Sequence, residues 1–352
     1  MGKKSVIWLI TLAVVMGYFL LQWSGSNWSK WFGENGFLGI GVAKQAPEMK
    51  VVFCDVGQGD ATYIRAPEGQ DILIDGGPDD SVLTCLGKSM PFFDHEIDLV
   101  MFSHPEADHI SGLIEVLRRY KVDKVIWSGL EKNTPEYFAL KEEMRKTNSV
   151  KMVELPGCKY VGEVGGFGDV REFGDGKCAI EIGDQKKVKI SFYYPFELPA
   201  EIPNDVNNWS MVEKVSFGKE DVLFTGDIMQ GGTERMLETL AERSGLSRPD
   251  FDQAALDRTP VSLADLDVEV LKVPHHGSKN GLTPELLAVA SPEYAVIPVG
   301  LNNSYGHPHQ SILDLLLGAR VKIYRTDLDG DVTMTTDGKD LQFSIAGGKR
   351  GK

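Results

Sequence analysis

The sequence lacks three features that would place it in well-known classes of protein. No two of its four cysteines lie two to four residues apart, which excludes a cysteine-rich zinc module. It has no excess of positive charge: the net charge is −14, so nucleic acid would bind only through a local basic patch or through metal ions that offset the acidity. It also has no internal repeat of the kind that builds a solenoid. With 42% hydrophobic and 25% charged residues, the composition is that of a folded globular protein.

The few cysteines carry limited information about the compartment. Cys54 lies in an apolar, strand-like run, and we expect it to be a buried free thiol. Cys158 and Cys178 flank a glycine-rich stretch and would form a disulfide if that region faces an oxidising compartment.

The N-terminus predicts a membrane anchor over residues 1–23. Lys3 and Lys4 precede an uncharged apolar run that ends at Trp23 and is long enough to span a bilayer. A cleaved signal peptide is the competing interpretation, but its apolar region is usually about 7–15 residues and ends in small residues, which this run does not. The two lysines predict that the N-terminus stays inside and the rest of the chain lies outside the cytoplasm. Residues 24–48, rich in Gly, Ser and Asn, are predicted to be a tether.

The body, residues 49–346, alternates β-rich runs with helical stretches, which predicts an α/β domain with sheets covered by helices. Predicted strands include Met49–Phe53, Asp71–Ile74, Ile97–Phe102, Asp221–Phe224, Val268–Val273 and Tyr294–Ile297, and predicted helices include Ile110–Tyr120, Gly231–Arg243 and Pro284–Ala290. The polar segment from Ser244 to Asp267 reads as an excursion between elements, and residues 347–352 as a basic tail.

One segment concentrates groups that bind metal. His104, Glu106, Asp108 and His109 lie between a predicted buried strand and a predicted helix, so their side chains can converge. Imidazole and carboxylate groups together offer the nitrogen and oxygen ligands that divalent metals take. Considered alone, the segment is also compatible with a solvated acidic turn that carries incidental histidines.

Three further clusters favour the metal site. The chain has only seven histidines, yet His275 and His276 are adjacent after one predicted strand and His307 follows another. Asp227, in Phe224-Thr225-Gly226-Asp227, also follows a strand. Because α/β proteins assemble their sites from loops at strand ends, the four clusters together predict one metal centre.

The order of these motifs resembles the metallo-β-lactamase superfamily and, within it, the hydrolase domains of ComEC-type DNA-uptake channel proteins. The similar stretches include the Asp55–Asp60 opening, Leu73–Gly77 and Asn207–Ser210. The resemblance covers Met49 to Ile345 and does not extend to the anchor. The many membrane helices and the oligonucleotide-binding domain of a complete channel protein are not seen in the sequence.

The resemblance implies an αββα sandwich that holds one or two divalent ions, Zn²⁺ or Mn²⁺ with Mg²⁺ possible. On the family pattern, His104 would bind a first ion, Asp108, His109 and His275 a second, and Asp227 would bridge them, while Asp75 would support the site. Glu106 and Asn208 stand where the wider superfamily has histidines. The implied set of metal ligands is His104, Glu106, Asp108, His109, Asn208, Asp227 and His275.

The same resemblance implies catalysis by Asp108, which would orient the nucleophile, by His276 next to the substrate, and by His307, which would bind a phosphate or donate a proton. The expected activity is metal-dependent hydrolysis of phosphodiesters, single-stranded DNA among them, outside the cytoplasm and linked to DNA uptake. A lactone, a phosphorylated wall polymer or a β-lactam remains open as substrate. The alternative from another class is a non-catalytic binding or assembly module of a DNA-uptake or envelope complex.

Overall fold

The computed structural model describes residues 48–146, 151–154, 171–172, 178–243 and 266–347. The predicted anchor (1–23), nearly all of the tether, Cys158, the excursion up to residue 265 and the tail after Gly347 lie outside these residues. Within the described ranges, no helix is both long and apolar enough to cross a bilayer.

Within the part of the chain that the structure describes, sixteen strands form two mixed sheets of eight. The strands are β1 Met49–Phe53, β2 Thr62–Arg65, β3 Asp71–Ile74, β4 Glu96–Phe102, β5 Lys121–Trp127, β6 Lys151–Glu154, β7 Arg171–Glu172, β8 Cys178–Ile182, β9 Val188–Tyr194, β10 Val212–Phe217, β11 Glu220–Phe224, β12 Val270–Lys272, β13 Tyr294–Ile297, β14 Lys322–Arg325, β15 Val332–Thr336 and β16 Leu341–Ile345. The first sheet has the order β16-β15-β1-β2-β3-β4-β5-β6, and the second β14-β13-β12-β11-β10-β9-β8-β7.

Helices cover the outer face of each sheet. The helices are α1 Ser81–Ser89, α2 Ala107–Arg119, α3 Pro135–Lys146, α4 Gln230–Arg243, α5 Pro284–Ala290, α6 Gln310–Gly318 and α7 Thr326–Asp329. Apolar residues of α1, α2 and α3 pack on the first sheet, and those of α4, α5 and α6 pack on the second. Between the sheets lies a third apolar layer, which includes Phe53, Met101 and Val270. Burying one such side chain contributes roughly 1.5–3 kcal/mol. The αββα sandwich is therefore confirmed.

The predicted strands that precede the motifs agree with the structure to within one or two residues. The largest omissions are α1, α3 and α6, which sequence inspection passed over. In β4, residues alternate between the two apolar layers: Leu99 and Met101 face the other sheet, whereas Val100 and Phe102 face the helices. Burial on both faces explains its nearly continuous apolar sequence.

The parallel strands position the site. Strands β3 to β6 run parallel to one another, and so do β11 to β14. Their carboxyl ends therefore lie at one edge of each sheet. The loops that follow β3, β4, β11 and β12 carry Asp75, the His104–His109 segment, Asp227 and the adjacent histidines.

The expectation for Cys54 is wrong, because Cys54 forms a disulfide with Cys85 of α1. The end of β1 and the helix that covers it bring the two Cα atoms to 5.8 Å. The two cysteines are separated by 31 positions in the sequence, so the sequence alone does not reveal that they are in contact. Cys178 is also disulfide-bonded, but its expected partner, Cys158, lies outside the described residues.

Candidate metal centre

Four side chains meet at the edge of the sandwich, two from the first turn of α2 and one each from the connections after β11 and β12. Asp108, His109, Asp227 and His276 each offer one ligand atom, and these atoms all lie within 4.8 Å of one another. Asp227 is central: its carboxylate oxygens lie 3.3 Å from Nε2 of His109 and 3.3 Å from Nε2 of His276. Asp108 lies 3.5 Å from the same His276 nitrogen. Two imidazole nitrogens and two carboxylates form a donor set suited to Zn²⁺ or Mn²⁺.

The unpaired atoms of this cluster fit a cation. Nε2 of His109, Nε2 of His276 and Oδ1 of Asp227 are buried and have no hydrogen-bond partner within the described part of the chain. Buried polar atoms normally have a partner, and leaving one without costs about 1–3 kcal/mol. A divalent ion among the four side chains would satisfy all three atoms, so the residues present fit a metal ion.

Both imidazoles are oriented from behind. Nδ1 of His109 donates to Asp75 at 2.9 Å, and Nδ1 of His276 donates to the carbonyl oxygen of Pro298 at 2.9 Å. Asp75 in turn accepts from the backbone N–H of Ser103 and from its hydroxyl, at 2.7 and 2.8 Å. With both Nδ1 atoms carrying protons, the Nε2 lone pairs face the cluster, which is the tautomer that binds metal. Asp75 thus makes the supporting contact expected of it.

A buried lysine lies behind the carboxylates. The ammonium of Lys272 forms an ion pair with Asp60, donates to the carbonyl oxygen of Gly226 at 2.6 Å and lies 3.6 Å from Asp227. Asp60 also lies 3.2 Å from Nδ1 of His276. Sequence inspection missed both Lys272 and Asp60 as site residues. The available signal was a lysine at the end of an otherwise apolar strand, just before the adjacent histidines.

The electrostatics of the cluster favour a cation. Burial opposes charge on His109 and His276, yet the nearby carboxylates, Asp227 foremost, raise the pKa of both imidazoles well above the ordinary value. Burial also opposes charge on Lys272, but Asp60 and Asp227 raise the pKa of its ammonium. Protons thus compensate the surplus negative charge, and a metal ion would compete with them for the imidazoles.

The backbone is strained at the two adjacent histidines and at the residue before Asp227. His275 and His276 have φ values of 50° and 52°, in the left-handed region that side chains other than glycine rarely adopt. Gly226, with φ of 46°, precedes Asp227, and a Cβ atom there would lie 2.7 Å from Cβ of Ser103. Strain of this kind concentrates at functional sites, where the surrounding structure holds it.

The two adjacent histidines, which the family pattern gives different roles, differ in their distance from the cluster. His276, not His275, belongs to the four-residue cluster. His275 is more exposed, and its Nε2 lies 3.8 Å from Asp227. His104 is buried beside the cluster, with its ring centroid 4.2 Å from that of His109 and with no hydrogen-bond partner for Nε2 among the described residues.

Two of the implied ligands are engaged elsewhere. The carboxylate of Glu106 forms an ion pair with Lys132, which lies in the loop after β5. The side-chain oxygen of Asn208 accepts from the backbone N–H of Gly232 at 2.7 Å, in the first turn of α4. In this structure, neither side chain is part of the four-residue cluster.

His307 lies beside the two adjacent histidines. Its ring centroid is 5.6 Å from that of His275 and 6.4 Å from that of His276. Asn303 accepts from the backbone N–H of His307 and donates to its carbonyl oxygen, at 3.0 and 2.7 Å. Burial, together with His275 and His276, lowers the pKa of His307 to about 4, so its ring is neutral near neutral pH.

Comparison with known proteins gives consistent matches. A model of the metallo-beta-lactamase superfamily matches residues 54–300. ComE operon protein 3 of Bacillus subtilis is 24% identical over 315 residues, which are 85% of this chain and 34% of that protein. Competence protein ComA of Neisseria gonorrhoeae is 25% identical over 285 residues, which are 80% of this chain and 32% of that protein. The chain thus spans about a third of the length of these curated relatives.

Among solved structures, the metallo-beta-lactamase fold protein YhfI from Bacillus subtilis matches with a TM-score of 0.41 and 11% identity, covering 79% of this chain and 95% of that chain. The resemblance inferred from the motifs, both to the superfamily and to ComEC-type proteins, is confirmed by the family model and the curated relatives.

Proposed function

The chain belongs to the metallo-β-lactamase superfamily, and from that premise we propose that it is a metal-dependent phosphodiesterase that acts on nucleic acid outside the cytoplasm. The observation that carries the proposal is the cluster of Asp108, His109, Asp227 and His276, whose buried ligand atoms have no other partner among the described residues. A divalent ion held there supplies Lewis acidity and lowers the pKa of a coordinated water toward neutrality.

The chain's own residues would orient the reactants. Asp108 is the most exposed of the four, so its carboxylate borders both the cluster and the solvent. The nearby imidazoles of His276 and His109 outweigh burial and lower the pKa of Asp108, so it is an ionised acceptor that can orient an attacking water.

On the other side of the site, His307 and His275 would act on the phosphate and the leaving group. His307 is neutral in the free protein, and an anionic phosphate bound beside it would raise its pKa. The imidazole could then take up a proton and donate it to the departing oxygen. His275, next to His307 and only partly buried, would contact the same phosphate.

The substrate class and the location rest on the relatives, on the charge of the site and on the disulfide. One curated relative, ComA of Neisseria gonorrhoeae, is a competence protein by name, which favours nucleic acid. The bound ion would offset part of the acidity that otherwise repels a polyanion. The buried Cys54–Cys85 disulfide favours an oxidising compartment, in keeping with an anchored body outside the cytoplasm.

The test is to purify the full chain and measure both bound metal and hydrolysis of bis-p-nitrophenyl phosphate and of a single-stranded oligonucleotide with Mn²⁺, Zn²⁺ or Mg²⁺. Asp227→Ala should lose metal and turnover together, whereas Asp340→Ala, which removes an exposed carboxylate at the opposite end of the first sheet, should lose neither. Full turnover in Asp227→Ala would refute the proposal. Nitrocefin tests for β-lactam hydrolysis, for which we expect none.

A non-catalytic module is the second candidate, because Glu106 and Asn208 are engaged by Lys132 and Gly232. It predicts that the purified chain holds little metal and turns over none of these substrates. Stoichiometric metal in the wild type, together with turnover that depends on Asp227, would exclude it.

A further inference from the structure

Outside the four-residue cluster, the described residues include three further buried imidazole nitrogens without a hydrogen-bond partner: Nε2 of His104, Nδ1 of His275 and Nδ1 of His307. Nε2 of His104 has no hydrogen-bond partner among the described residues, although its Nδ1 lies 3.0 Å from the hydroxyl of Ser103. The ring stands beside that of His109, with the two ring centroids 4.2 Å apart. A buried imidazole nitrogen that has no hydrogen-bond partner and lies next to the four-residue cluster is a candidate ligand for a second cation.

The chain supplies few other ligands for that cation. Asp227 can share its carboxylate, but the side-chain oxygen of Asn208 is committed to the N–H of Gly232, and the backbone carbonyl of Asn208 accepts from Tyr194 and Arg235. Hydrogen bonds to its side-chain oxygen and to its backbone carbonyl oxygen hold Asn208 next to the start of α4. Its release would break the shorter of the two hydrogen bonds that the Gly232 N–H donates, the other being to the carbonyl oxygen of Met229 at 3.0 Å.

Glu106 is a further candidate ligand, and Lys132 is the ion-pair partner of its carboxylate among the described residues. It lies directly before α2, two residues after His104, and its carboxylate is ion-paired with Lys132. Both side chains are between a fifth and a third exposed, so the pair is neither deeply buried nor fully solvated. Ion pairs of this kind are weak enough to open under competition.

We propose that Lys132 restricts the second metal position by holding Glu106 in this ion pair. The centre then binds one divalent ion tightly at the Asp108–His109–Asp227–His276 cluster. A second ion, bound by His104 and Asp227, binds well only when Glu106 leaves Lys132. The inference rests on the metal binding that the proposed function requires, and it adds a regulatory element to that same site.

The test measures metal rather than turnover. The full-length chain is dialysed against a series of buffered free Mn²⁺ concentrations, and bound ions are counted by elemental analysis. The wild type should show one tight ion and a second, weaker one. Lys132→Met, which keeps the length of the side chain but removes its charge, should tighten the second ion by about fivefold or more and leave the first unchanged.

Three variants make the result specific. Lys132→Arg keeps the ion pair and should behave as the wild type. Lys132→Met combined with Glu106→Gln should lose the gain, because no carboxylate is released. Lys141→Met removes the neighbouring Lys141–Glu131 pair and should change neither ion.

Two equally tight ions in the wild type would overturn the proposal, as would an unchanged second ion in Lys132→Met or a gain that survives Glu106→Gln. In each of these cases the phosphodiesterase proposal still stands. Absence of any bound ion would overturn both.

Discussion

Lys272 and Asp60 form a buried ion pair directly behind the candidate metal ligands, with the ammonium 3.6 Å from Asp227 and the carboxylate 3.2 Å from the Nδ1 atom of His276. The pair connects β12 to the loop after β1, so the two sheets share one charged layer under the site. Lys272 and Asp60 thus influence the charge and orientation of the candidate metal ligands, although neither residue is part of the four-residue cluster.

Lys272→Met should strongly destabilise the protein. The substitution leaves the carboxylates of Asp60 and Asp227 buried without their cation, and breaking a buried pair in this way costs about 3–5 kcal/mol. The free energy of unfolding, measured in urea with metal removed, should fall by that amount. Saturating Mn²⁺ should recover part of the loss, because the ion adds positive charge next to Asp227. Lys141→Met is the control, and a loss no larger than the control's would contradict the prediction.

Substitutions at the two adjacent histidines should weaken metal binding to different extents. His276→Ala removes a ligand of the cluster and should weaken the tight ion by more than about 100-fold, whereas His275→Ala should weaken it by less than about tenfold. Isothermal titration of the metal-free variants measures both. Equal losses would mean that both imidazoles bind the ion, and the reverse order would restore the role that the family pattern implies for His275.

Bound metal should be released in acid. Asp227 and its neighbours raise the pKa of His109 and His276, so protons compete with the ion for both nitrogens even near neutral pH. Metal affinity should therefore rise with pH from about 5 to about 8 and fall as protons return. Equilibrium dialysis across this range measures it, with circular dichroism to verify that the fold persists. An affinity that does not change with pH would exclude proton competition.

The Cys54–Cys85 disulfide should stabilise the folded chain. In the chain-entropy view, a loop of this length contributes about 3–4 kcal/mol. The double variant Cys54→Ala and Cys85→Ala should therefore unfold at lower urea concentration than the wild type. Because both cysteines are buried, mild reductant without denaturant should leave the native protein unchanged. A stability equal to that of the wild type would show that the bond contributes nothing.

The sequence alone indicated where the site would form. His104, Asp108, His109, Asp227 and the adjacent histidines all follow apolar runs, and such runs become strands whose carboxyl ends meet at one edge of a sheet. Local sequence is sufficient for this conclusion because a strand and the residue after it are neighbours in the chain. The motif order was equally informative about the family and the αββα architecture.

Tertiary structure decided which of these side chains meet. Adjacent residues point in different directions, and with left-handed backbone at both His275 and His276 it is His276 that joins the cluster. Glu106 is ion-paired with Lys132, which belongs to a separate loop. The side chain of Asn208 is hydrogen-bonded to the first turn of α4. Lys272 and the Cys54–Cys85 bond likewise owe their roles to partners far away in the chain. Residue type and spacing thus determined the fold and the position of the site, whereas packing between distant segments determined the ligands, because charge pairing and burial are properties of the folded chain.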